Sequence, residues 1–126
     1  NIYGGKDQLV DYQNIPKAVF SQPEIASVGY SEKEAKHIYG DDKVNIKTSK
    51  FRPMSKALSK TGPLCLLKLV IENETGRILG CHMVGECAAE IIQMASISIS
   101  MNATKSDFDR TMALHPTIAE EFVTMS

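Results

Sequence analysis

The stretch "LCLLKLVIENETGRILGCHMVG", residues 64–85, decides the fold. Two runs rich in aliphatic and β-branched residues, 64–72 and 77–85, flank the tetrapeptide "NETG", a turn with Gly76 at its end. The pattern is that of a β-hairpin. Both faces of both strands carry apolar side chains, which predicts a place in the middle of a sheet with cover on each side.

Working outward towards the N-terminus, "KVNIKTSKF" (43–51) alternates Val44, Ile46 and Thr48, as a half-buried strand does. "SEKEAKHIYG" (31–40) places Ser31 and Glu34 at capping-box spacing and Gly40 as a stop, so a short helix is expected. "IPKAVFSQPEIASVGY" (15–30) offers two short extended runs, 18–20 and 26–30. Pro16 and Pro23 bracket the first and forbid a helix through it.

On the C-terminal side, "ECAAEIIQMASISISM" (86–101) contains an alternating "SISIS", yet Ala88, Ile91, Ile92, Ala95 and Ile99 recur at helical spacing. Length and the strong helix formers upstream predict a helix from about residue 86 to 101. Its apolar positions run most of the way round, so it is either central or paired with another chain. A helix restarts at Thr104, with Asp107 at the capping position, and a last helix is expected from Thr117. Strands followed by helices, without a βαβ rhythm, make the fold α+β: an antiparallel sheet of about five strands covered by helices.

The 126 residues suffice for one domain. Residues 1–14, polar and glycine-containing, read as a linker leaving a preceding domain, and residues 15–126 as the domain itself. Fourteen basic against fifteen acidic residues leave no field that would steer the chain to nucleic acid or an anionic membrane. The apolar runs are short and broken by lysine, so none spans a bilayer. Cys65, Cys81 and Cys87 are odd in number, with no CxxC. A reducing compartment such as the cytoplasm is expected, with three buried and inert thiols.

The chemistry gathers at "HPTIAEEF" (115–122). Thr117 and Glu120 fit a capping box, in which case His115 is a loop residue. Alternatively the chain bends here, Glu120 accepts an N–H from the His115 imidazole, and the tautomer is fixed with the other ring nitrogen left free. That is the base-plus-orienter half of a catalytic triad. No serine or cysteine is its partner by spacing, so the group that His115 serves lies elsewhere. A metal site from His115, Glu120 and Glu121 lacks a third well-spaced ligand and is not expected. His82, inside a strand, reads as structural; His37, near a helix C-terminus, reads as exposed.

Three stretches together, "IPKAVFSQPEIASVGYSEKEA", "GRILGCHMVGE" and "ATKSDFDRTMALHPTIAEEFVTM", resemble the C-terminal dimerisation domain of the flavin-dependent pyridine nucleotide–disulfide oxidoreductases. Within that family "HPTIAEEFVTM" is most similar to the glutathione reductases of bacterial and plant type. Dihydrolipoamide dehydrogenases share the His-Pro-Thr and the glutamate but usually lack the "EFVTM" that follows. A dimerisation module without catalysis is the third alternative.

The resemblance implies a homodimer in which FAD and a redox-active cysteine pair sit in one subunit, while the His-Glu pair reaches them from the other. It implies that His115 is the acid/base, that Glu120 orients it, and that His115 and Pro116 meet the flavin. It further implies that Glu121, Thr124 and Met54 contact glutathione disulfide, and that cis bonds precede Pro116 and Pro23. The sequence itself has no GxGxxG and no CxxxxC pair, so these residues alone are expected to bind neither FAD nor NADPH tightly.

Overall fold

The central hairpin organises everything else. In the computed structural model, which describes residues 1, 3–59 and 61–125, the strands are β1 (Lys17–Val19), β2 (Ile25–Gly29), β3 (Val44–Phe51), β4 (Cys65–Glu72) and β5 (Ile78–Val84). The helices are α1 (Glu32–Tyr39), α2 (Met54–Ala57), α3 (Ala88–Ser100), α4 (Lys105–Asp109) and α5 (Glu121–Thr124). The strands form one antiparallel sheet in the order β1-β2-β5-β4-β3, which puts the hairpin strands β4 and β5 in the interior. The α+β reading of the sequence holds.

Each face of the hairpin has its own cover. Leu67, Leu69, Cys81 and Met83 are buried beneath α3 with Ala88, Ile92 and Ile99, and the C-terminal Phe122 and Met125 join this core. On the other face Val70 and Leu79 pack with Ala35 of α1 and Val44 of β3. A bulge lets one strand serve both: Val70 faces Gly80 and Ile71 faces Ile78, leaving Leu79 as the extra residue. The extra residue shifts the alternation by one, so Ile78 joins Cys81 and Met83 in the α3 core while Leu79 enters the α1 core.

The bulge sits beside a close backbone approach between Gly29–Tyr30 and Leu79–Gly80. A Cβ at Gly80 would lie 2.1 Å from the Tyr30 carbonyl oxygen, and one at Gly29 would lie 2.2 Å from that of Leu79. Only glycine admits this crossing, whose reward is the 2.8 Å bond from Tyr30 N–H to the Leu79 carbonyl. Beside it His82 donates from Nε2 to the Tyr30 carbonyl at 2.9 Å, so this histidine is structural, as its strand position indicated. His37 is exposed in the last turn of α1.

The expected caps form reciprocally at α1 and α4. Glu34 N–H donates to Ser31 Oγ, and the Glu34 carboxylate accepts from Ser31 N–H. Thr104 and Asp107 do the same. Glu32 then ties α1 to the sheet, accepting from Lys36 Nζ at 2.6 Å and from Lys68 Nζ on β4 at 2.5 Å. These two bonds hold its pKa down at about 2.

Several expectations need correction. Thr48 is exposed, because the core-facing side changes along β3: Val44 and Ile46 face the α1 core, whereas Phe51 packs against the α3 core. The last helix begins at Glu121 and not at Thr117. Cys65 and Cys81 are buried, and burial raises both thiols, Cys81 to about 12. Cys87 is exposed instead, standing in the turn before α3 with φ 63°. It gives α3 no side-chain cap. Glu24 supplies one from β2's approach, accepting from Ala89 N–H at 3.1 Å. The outward flank of α3 leaves Met94, Ile97 and Met101 exposed. No helix among the described residues is long and apolar enough to cross a membrane.

Burial lowers the pKa of His82 from its ordinary 6.5, against the opposing effect of the bond to Tyr30. The unfolded chain thus takes up the proton first as pH falls. The stabilising contribution is complete above pH 6.5 and declines as pH drops towards the folded value. Glu32 loses its contribution only below 4.5, so between pH 6.5 and 4.5 the decline belongs to His82 and not to Glu32. Urea unfolding at pH 8 and pH 5.5 should show a larger loss of midpoint for the parent than for His82→Gln, which keeps an N–H donor without titrating.

Candidate active site

A four-residue helix has no stability of its own in water, so α5 must be held by tertiary contacts. Phe122 and Met125 supply them, at 5% and 6% exposure in the main core, with Ile118 packed against it. This seating fixes the polar side of the same segment. His115, Pro116, Glu120 and Glu121 line one wall of a cleft of about 390 Å³, and Phe51, Arg52 and Met54 line the other, from the end of β3 and the start of α2.

His115 and Glu120 meet in the cleft, with Nδ1 2.9 Å from Oε1. A carboxylate oxygen accepts, so Nδ1 carries the proton and Nε2 is left for another partner. The two side chains differ sharply in exposure, 71% for the imidazole and 13% for the carboxylate. The acceptor is largely buried and the imidazole is presented.

The two readings of "HPTIAEEF" differ in where the Glu120 carboxylate goes, and it goes to His115. Thr117 Oγ1 does accept from Glu120 N–H at 3.2 Å, which is half of a capping box. The other half would need the Glu120 carboxylate on the Thr117 N–H, as Glu34 and Asp107 close on Ser31 and Thr104. Here the carboxylate is bonded to His115 instead, and regular helix waits until Glu121. Where Ser31–Glu34 and Thr104–Asp107 close reciprocally, Thr117–Glu120 sends its carboxylate to a histidine.

The remaining expected residues divide. Met54 and Glu121 share the cleft with His115, whereas Thr124 is exposed outside its lining and its Oγ1 bonds the Glu120 carbonyl at 3.2 Å. The His115–Pro116 and Gln22–Pro23 bonds are both cis. Ser49 and Arg52 were not singled out by the sequence. Ser49 Oγ donates to Glu121 Oε2 at 2.6 Å, and Arg52 Nη1 donates to the carbonyls of Thr61 and Gly62 at 3.0 Å each. Both contacts join segments with no shared periodicity, so no local pattern could show them.

The profile of the pyridine nucleotide-disulphide oxidoreductase dimerisation domain matches residues 15–126. The chain belongs to this family. Among similar proteins, a glutathione reductase of Burkholderia cepacia is 49% identical over 98% of this chain. One from a Nostoc species is 46% identical over 98%, and a chloroplastic/mitochondrial glutathione reductase of Pisum sativum is 50% identical over 91%. The chain spans 27%, 27% and 20% of those proteins respectively. The family's five-stranded antiparallel dimerisation fold thus carries the His115–Glu120 pair on its last segment.

The imidazole nitrogen shifts of neutral His115 should report the Nδ1–H tautomer. Glu120→Ala should move them towards the Nε2–H form; unchanged shifts would mean that Glu120 does not set the tautomer.

Proposed function

We propose that this chain is the dimerisation domain of an FAD-dependent, NADPH-using glutathione-disulfide reductase. It acts as a homodimer in a reducing compartment, the cytoplasm, and supplies His115 and Glu120 to the disulfide site of the partner subunit. The observation that carries the reading is the largely buried Glu120 carboxylate bonded to Nδ1 of an exposed His115, in a cleft shared with Met54 and Glu121. The three relatives named as glutathione reductases support the substrate, as does the "EEFVTM" tail. The exposed Met94 and Ile97 on α3 and Met101 at its end support pairing by apolar burial between subunits.

The roles follow from the atoms. In its acid form His115 carries a proton on each nitrogen. Nε2–H passes its proton to the glutathione thiolate that leaves when the disulfide S–S bond is attacked, and Glu120 keeps hold of Nδ1–H throughout. The ring is left as the Nδ1–H tautomer that the carboxylate favours. Glu121, Met54 and Thr124 are assigned to holding glutathione disulfide. Thr124 would enter that contact from outside the cleft lining.

The residues present fit the edge of a flavin and no more of it. His115 and Pro116 are exposed, and the His115 carbonyl accepts no hydrogen bond among the described residues, so it can receive an N–H from the ring. FAD bound there would pass electrons from NADPH to the redox-active cysteine pair. The phosphate-binding glycine loop is not in this sequence, so the 126 residues alone hold neither FAD nor NADPH tightly and do not turn over disulfides.

The test uses the full-length flavoprotein with NADPH and glutathione disulfide in stopped flow. His115→Ala should leave flavin reduction by NADPH fast and slow disulfide turnover by roughly 10²–10⁴-fold. Unchanged turnover would reduce His115 to a loop residue. Faster turnover of lipoamide than of glutathione disulfide by the parent would reassign the substrate.

A further inference from the structure

The Glu121 side chain is held by a residue far from it in sequence. Its Oε2 accepts from Ser49 Oγ at 2.6 Å across a separation of 72 positions, and both groups are half-buried. Ser49 stands on β3 opposite Leu67, a fully buried residue of the central strand β4, so its backbone is fixed by the sheet ladder. The donor is therefore part of the rigid scaffold, whereas the acceptor belongs to the short helix α5.

The bond leaves one atom uncommitted. Glu121 Oε1 has no partner among the described residues, and Glu121 lines the same cleft as His115 and Met54. A carboxylate accepts and cannot donate, so the ligand group it can take is an N–H donor. A glutamate side chain on a surface samples several rotamers, and ordering it on ligand binding opposes affinity; a fixed hydroxyl removes that cost beforehand. A hydroxyl-to-carboxylate bond is charge-assisted and short, which gives it the strength to select one rotamer.

We propose that Ser49 is a positioning residue for substrate recognition: it locks Glu121 so that the free carboxylate oxygen receives an amide or ammonium N–H of the peptide disulfide. This rests on the glutathione-disulfide reading above and adds a residue that acts through Glu121 rather than on the reacting sulfurs. The effect falls on binding more than on the chemical step, because Ser49 touches neither His115 nor its proton path.

The experiment measures steady-state KM and kcat for glutathione disulfide in the full-length holoenzyme. Ser49→Ala should raise KM roughly 5- to 20-fold, the effect of losing about one charge-assisted hydrogen bond, with a smaller change in kcat. Ser49→Thr and Ser49→Val have the same shape in a strand and differ in the hydroxyl. Thr should restore KM to within about twofold and Val should not, a comparison that survives even where Ser49→Ala fails to fold. Glu121→Gln should raise KM as well, and adding Ser49→Val to it should do no further harm, because the two act as a unit. A KM unaltered by Ser49→Val, independent multiplication of the two effects, or a loss confined to kcat would each overturn the inference. A parent that turns over no glutathione disulfide would instead overturn the functional reading, and this inference with it.

Discussion

The site depends on how the C-terminal segment is seated against the sheet. Residues 115–125 form too little regular structure to stand alone; α5 has four residues. Ile118, Phe122 and Met125 recur at helical spacing and pack into the core built by the central hairpin and α3. That insertion leaves His115, Glu120 and Glu121 on the cleft side, opposite α2 and the end of β3. The apolar residues of the tail are thus the mounting, and the polar residues between them are what is mounted. Because the hairpin strands lie in the middle of the sheet, the mounting is buried and stiff.

On that mounting a single carboxylate has two possible partners. Glu120 could have closed a capping box with Thr117, completing a longer helix. It bonds His115, at the expense of regular helix between Thr117 and Glu120. Local helix stability and the orientation of the imidazole compete for the same oxygens, and the fold resolves the competition in favour of the imidazole. Departures of this kind from local consistency are where functional sites are expected. The comparison inside this chain makes the point, since the boxes at Ser31–Glu34 and Thr104–Asp107 close in the ordinary way.

Much of the fold was legible because its signals are local. The hairpin followed from two apolar runs and a four-residue turn, α3 from its helical spacing, and the caps of α1 and α4 from residues three apart. The alternating "SISIS" was overridden by its surroundings, and it lies within α3 as expected. What could not be read depends on tertiary contact. The bulge at Leu79 is a matter of register, the exposure of Thr48 follows from two cores on opposite faces of one strand, and the turn at Cys87 leaves its thiol outside the sheet–helix interface. At the site, His115 and Glu120 were legible as a pair five positions apart, although spacing alone favoured the capping box. Ser49 was invisible, because nothing in "NIKTSKF" points to a glutamate 72 residues later. Thr124 was carried in by resemblance and does not line the cleft.

The central claim is that this domain lends its acid/base to a site completed by the other subunit. The most direct measurement pairs two disabled subunits of the full-length enzyme, one carrying His115→Ala and the other lacking its redox-active cysteines, and assays the purified mixed dimer for glutathione-disulfide reduction. If His115 acts across the interface, one site in each mixed dimer is whole, and activity returns to about half that of the parent although both homodimers are inactive. If His115 serves its own subunit, neither site is whole and the mixed dimer is as inactive as the two homodimers, which would contradict the account.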